Sequence, residues 1–178
     1  MTYIIAQILA ALSTLILLTY SVLKVKRGTI LVCNTAINLL LAVHYLLLGS
    51  TTGAICSALT AAMALVFSLR HDARFSFMAS TLVPAAFVLM FMVSGYLTWQ
   101  SAWSLIPVAG NILLVIALWN DRPDVTKGIF IIVGLLWIVY NIYLKSVANI
   151  IGQILAVSSN IIYFYRILSA KKRNGIAE

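Results

Sequence analysis

Few side chains in the apolar stretches of this sequence could do chemistry, and nearly all of them are amides, hydroxyls or aromatic rings. Asn149, Gln153, Ala156 and Asn160 recur with the spacing of one helical face. Gly134, Trp137 and Asn141 share a face in the preceding segment, and Asn34, Asn38, Leu41 and Tyr45 do so nearer the N-terminus. Gly53, Ser57, Thr60 and Ala64 form a small, weakly polar face, and Asn111 stands one turn after Pro107. Amides both donate and accept hydrogen bonds and carry no charge, which suits a neutral polyhydroxylated or amide-bearing solute. The candidate pocket is therefore Trp137, Asn141, Gln153, Asn160, Asn111, Asn38 and Ser57, with His44 and Pro107 as gate and hinge candidates. The competing reading of the same residues is interhelical glue, worth about 0.6–2 kcal/mol per polar contact.

Other chemistry is poorly served. His44 is the one ionisable side chain within an apolar run, and a lone imidazole without nearby Cys, Asp or Glu is a poor metal site. The four acids, Asp72, Asp121, Asp124 and Glu178, all fall between or after the apolar runs. No nucleophile with a matched base, phosphate-cradling glycine loop or zinc-ligand set is present. The expectation is a protein that is not an enzyme and holds no cofactor or metal.

The elements that position these residues follow from composition. Of the residues 63% are hydrophobic and 9% charged, and mean hydropathy is +1.07. A soluble domain carries roughly 25% charged residues, so the class is a polytopic membrane protein. Two cysteines are too few for a disulfide scaffold. Neutral runs at 1–23, 28–69, 75–120, 128–144 and 146–165, cut at about 20 residues per crossing, give seven spans. The first lacks a basic leader region and is read as a retained helix, not a signal peptide. An outside N-terminus and a cytoplasmic C-terminus place eleven of the twelve basic residues inside, leaving only Lys145 outside. The net charge of +8 thus meets anionic lipid, not nucleic acid. Trp99, Trp103, Trp119 and 163–165 suit interfacial belts. Cys33 and Cys56 lie roughly 15 Å apart in depth, too far to pair. His71 belongs to a solvated basic loop, Pro84 and Pro107 can each kink their span as a hinge or as a static bend, and Pro123 is expected in a loop.

The chain also repeats itself. Shifted by 96 positions, 37–70 lies on 133–166 without a gap, matching Leu39, Leu40, Val43, Leu48, Ser50, Ile55, Leu59 and Arg70 to identical residues. Spans 1 and 5 extend the match when the first inner loop is four residues longer. The expected fold is all-α: two parallel three-helix bundles joined by a linker helix, with a site at their interface near the midplane. The units are 1–70, the linker 71–100, the second repeat 101–170 and a basic tail 171–178.

Several stretches resemble the YgjV family of bacterial inner-membrane proteins: AQILAALS, HYLLLGSTTGAICSALTAAMALVFSLR, IPVAGNILLVIALW and WIVYNIYLKSVANIIGQILAVSSNIIYFYR. The resemblance runs from Ala6 to Arg166. It implies kinship with the SWEET and PQ-loop transporters and their three-one-three layout. In the half-size members of that group a tryptophan and an asparagine line a sugar pocket. By position these resemble Trp137 and Gln153, whereas the first repeat has Leu41 and Ser57 there. The proline-glutamine motif is degraded to Gln7 and to Pro107-Val108, so the resemblance to the fold is closer than that to the sugar site. Vitamin transporters of the PnuC type have a similar seven-helix layout. The expected function is transport of a small neutral solute, sugar-like first and vitamin- or nucleoside-like second, by alternating access in the bacterial inner membrane. A non-transporting membrane protein is the rival. Partners are lipid and the solute, and a homo-oligomer is left open.

Overall fold

The computed structural model describes residues 1–22, 27–70, 74, 77, 80–120 and 122–174. Lys24, Lys26, His71, Asp72, Asp121 and Glu178, to which the sequence assigns loop or topological roles, lie outside the described residues. Among the described residues there is no strand. Seven helices follow one another: α1 (Thr2–Val22), α2 (Arg27–Leu47), α3 (Thr51–Ser68), α4 (Leu82–Leu97), α5 (Leu105–Trp119), α6 (Pro123–Tyr143) and α7 (Val147–Asn174). A single 3₁₀ turn, Ala102–Ser104, precedes α5.

Five helical stretches are long and apolar enough to cross a membrane, in α1, α3, the 3₁₀ turn with α5, α6 and α7. The apolar runs Leu31–Leu47 of α2 and Leu82–Leu97 of α4 are shorter. The 16 residues of α4 rise about 24 Å, less than a hydrocarbon core of roughly 30 Å. Pro84 falls in the first turn of α4, where a proline is tolerated.

Two sequence expectations need correction. Pro84 and Pro107 are each the third residue of their helix, where an amide hydrogen has no intrahelical acceptor to lose. They therefore start helices instead of bending them mid-span, and any bend set by Pro107 falls at the junction of the 3₁₀ turn with α5. Pro123 is not in a loop but opens α6, a position that favours its fixed φ. Helix α7 runs on into the basic segment as far as Asn174.

Packing is circular. Helix α1 lies against α2, α2 against α3, α3 against α5, α5 against α6, α6 against α7, and α7 returns to α1. Helix α4 covers the α3–α5 seam. There Phe87 and Phe91 of α4 pack with Cys56, Met63 and Phe67 of α3 and Val115 and Leu118 of α5. Both cysteines are free thiols.

The 96-residue shift reappears in the backbone. Gly49 and Lys145 both have positive φ, at 76° and 55°. Ser50 N donates to Tyr45 O and Gly49 N to Leu46 O; Ser146 N donates to Asn141 O and Lys145 N to Ile142 O. These are the two bonds of a Schellman cap, which turns the chain tightly and satisfies the last carbonyls of α2 and α6. Each serine then precedes the next helix, so two helices and their turn recur with the same hydrogen bonds.

Candidate functional site

The tight turns bring the C-terminal ends of α2 and α6 beside the N-terminal ends of α3 and α7, and a buried polar network forms there. His44 Nε2 meets Ser146 Oγ at 2.9 Å, and Ser50 Oγ meets Tyr140 Oη at 2.5 Å. These two bonds exchange under the shift, since His44 maps to Tyr140 and Ser50 to Ser146. Between them Tyr45 Oη donates to Asn141 Oδ1 at 3.2 Å, and these two residues are themselves 96 positions apart. In a symmetric dimer, reciprocal contacts flank the two-fold axis and a residue meets its own counterpart on it. The same geometry operates here within one chain.

All six side chains are buried, from 0% exposure for His44, Asn141 and Ser146 to 3% for Ser50 and Tyr140. His44 Nδ1 lies 2.7 Å from the Ala6 carbonyl oxygen. A carbonyl only accepts, so Nδ1 carries the hydrogen and Nε2 accepts from the Ser146 hydroxyl. One neutral imidazole thereby links α1, α2 and α7. Ser50 Oγ also accepts from Gly53 N at 3.1 Å, capping α3 while it holds Tyr140.

Aromatic packing surrounds the axis. The Tyr45 ring stacks on Trp137 with centroids 5.6 Å apart, and Tyr140 meets Trp137 edge-on at 5.8 Å. The indole of Trp137 rests against Gly110 of α5. The asparagines repeat one motif. Asn38, Asn111, Asn141 and Asn160 each donate Nδ2 to the carbonyl four residues earlier, at 2.8, 2.7, 2.7 and 3.1 Å. That leaves Oδ1 to accept: Asn141 receives Tyr45, and Asn111 receives Thr60 Oγ1 at 2.6 Å.

The residues expected to form one pocket are thus distributed. Trp137, Asn141 and His44 join in the network. Asn111 is 1% exposed and ties α5 to α3, with Pro107 supplying the carbonyl for its amide. Ser57, 2% exposed, lies one turn deeper on α3 than Gly53. Asn38 bonds only to Asn34 of its own helix, through both the carbonyl and the side chain. Gln153 lies against Gly134 of α6, and Asn160 donates back to Ala156. Asn38, Gln153 and Asn160 are half-buried and lie farther along their helices from the turns. Tyr45, Tyr140, Ser50 and Ser146 were not singled out for the pocket. The signal that finds them is the shift, which pairs serine with serine and sets His44-Tyr45 on Tyr140-Asn141.

A second opening lies directly above the Ser50–Tyr140 bond. A cavity of about 320 Å³ is walled by the α2–α3 turn, by Gln100, Ser101, Trp103 and Ser104 before α5, and by the end of α6 with Lys145. Trp103 stacks on Tyr143 at 4.8 Å and 11°. At the opposite end of the bundle Arg70 donates to Trp119 O at 2.7 Å and its guanidinium lies over that indole. There Lys127 covers the Tyr163 ring, whose hydroxyl donates to Asp124. Among the described residues no three His, Cys, Asp or Glu side chains come together as a metal site.

Fold and network together define an all-helical, multi-pass membrane protein whose ring of helices is closed near one end by buried hydrogen bonds. The chain belongs to the bacterial inner membrane protein family Imp-YgjV, which it matches over residues 4–171. No curated protein and no solved structure matches it.

Proposed function

We propose that this protein is a transporter of a small neutral solute, working by alternating access between two three-helix units, 1–70 and 101–170, joined by α4. The reciprocal pair His44–Ser146 and Ser50–Tyr140 around the Tyr45–Asn141 contact carries the reading. Parallel repeats related in this way are a transporter design in which the substrate sits between the units and one unit rocks against the other. In the proposed orientation, with the N-terminus outside, the network closes the outer side. Asn38, Gln153 and Asn160 lie inward of it and are only half-buried. On this reading the state is inward-facing, with Trp137 and Gln153 as the proposed substrate contacts.

Flux into proteoliposomes with a panel of monosaccharides and nucleosides tests the proposal. Uptake above empty liposomes is expected, with sugars ahead of nucleosides, and Trp137→Ala or Gln153→Ala should abolish it while insertion persists. No uptake of any solute sinks the proposal. The non-transporting reading is favoured by one observation: His44, Asn111 and Asn141 have all found partners within the protein. It predicts that Asn141 and Gln153 variants alter stability without altering any flux.

A further inference from the structure

We propose that the cavity above the Ser50–Tyr140 bond is an outer recognition site for a neutral, ring-shaped polyol of monosaccharide size. Its chemistry is mixed in a specific way. Gln100 offers an amide that donates and accepts, Ser101 a hydroxyl and Lys145 an ammonium, while the mutually bonded Ser50 and Tyr140 hydroxyls form the floor. No carboxylate lines it, which removes the usual partner of an organic cation. Hydroxyl groups of a polyol both donate and accept, so they can use this whole set, whereas a simple anion can use only the donors. The Gln100 amide is held loosely, with both contacts from Nε2, to Gly49 O and Thr51 Oγ1, at 3.4 Å. Such long bonds are readily exchanged for a ligand.

The aromatic wall sets the shape. Trp103 and Tyr143 stack nearly parallel on each other while remaining 41% and 47% exposed. Already in contact, they cannot sandwich a planar base between them, but they present ring surface to the apolar face of a saturated ring. The volume of about 320 Å³ is at the small end of ligand pockets, which run from about 300 to 1,000 Å³. This restricts the ligand to about one ring.

Position supports the assignment. Gln100, Ser101, Trp103 and Ser104 come from the connection between α4 and α5 and stand over the Ser50–Tyr140 bond. The connection is anchored, since Thr52 Oγ1 donates to Thr98 O at 2.6 Å and Gln100 N donates to Ser104 Oγ. The role of the vestibule as the first station of a pathway rests on the transport reading; binding there does not.

The test is calorimetric titration of the purified full chain in detergent with a neutral methyl glycoside, glucuronate and uridine. Saturable binding of the glycoside is expected, weakened about tenfold or more by Trp103→Ala through loss of the stacking face. Gln100→Ala should weaken it as well, and this exposed substitution keeps the fold. No heat with the glycoside overturns the proposal, as does tighter binding of glucuronate or uridine, or unchanged binding in both variants. Binding without flux refutes the transport reading alone, and flux without binding refutes the vestibule alone.

Discussion

On the transport reading, removing the Tyr140 hydroxyl should open the outer end of the bundle without unfolding it. Tyr140→Phe deletes the 2.5 Å contact with Ser50 and little else. Ser50 still accepts from Gly53 N, so the cap of α3 survives. The aromatic contacts of residue 140 with Tyr45 and Trp137 also survive, because the ring is kept. A polar contact between membrane helices contributes about 0.6 to 1.7 kcal/mol, and each 1.4 kcal/mol is tenfold in an equilibrium. If the bond is made only in the outward-closed state, its loss raises the outward-open share about threefold to sixteenfold. The reporter is Ser57→Cys in a Cys33→Ala/Cys56→Ala background, since Ser57 is 2% exposed beneath the closure. Its labelling by a membrane-impermeant maleimide added from outside should rise by that factor. Ser146→Ala, which cuts the reciprocal bond to His44, should act in the same direction. Ser50→Ala differs, because it also removes a helix cap and costs about 1 kcal/mol of fold stability besides. A drop in thermal stability in Tyr140→Phe with no change in labelling would refute the reasoning, since the bond would then hold the fold and not a gate.

Two further outcomes are expected from unfolding measurements on the purified protein. Tyr45→Phe leaves Asn141 Oδ1 buried without its donor, at a cost of about 1–3 kcal/mol, and a double-mutant cycle with Asn141→Leu should show coupling of about 0.6–1.7 kcal/mol; zero coupling rejects the contact on the axis. Gly49→Ala forces a side chain into the left-handed region and should cost about 1–2 kcal/mol, whereas Lys145→Gly at the matching turn should cost nothing; equal losses at both sites reject the shared cap geometry.

Much of the fold was legible in the sequence because charge and hydropathy act over whole segments. The breaks at Gly49-Ser50 and Lys145-Ser146 and the 96-residue shift needed only local turn chemistry and a self-comparison. Pro84 and Pro107 were misread because the effect of a proline depends on its position in the helix, and uninterrupted apolar sequence does not mark a helix start. The site was legible in part. Periodicity places Asn38 and Asn160 on one face of a helix but does not show that each amide turns back to its own backbone. Nor does it show how far two faces stand apart. Tyr45 and Tyr140 read as apolar aromatics in a membrane segment, and only the approach of the two repeats gives their hydroxyls partners. The shift contained that information: if two copies pack about an axis, residues near it must meet their own counterparts, and Tyr45 with Asn141 is such a pair.

Where the two halves differ, the differences compensate one another. The α3–α5 seam is covered by α4, which fills it with Phe87 and Phe91 against Phe67. The α7–α1 seam faces outward, with Ile4, Ile8 and Ile151 about half exposed. Without a covering helix it is joined by polar contacts across it. His44 bridges Ala6 and Ser146, Gln7 Oε1 accepts from Ala148 N at 3.1 Å, and Tyr3 Oη donates to Lys145 O at 2.9 Å. In water such bonds would be exchanged for solvent, but in hydrocarbon nothing competes for them. This explains why histidine stands at position 44 where the other half has tyrosine. A tyrosine hydroxyl reaches one neighbouring helix, while an imidazole presents a donor and an acceptor on opposite sides and joins two. The uncovered seam is therefore held by hydrogen bonds, and the covered one by the apolar packing of α4.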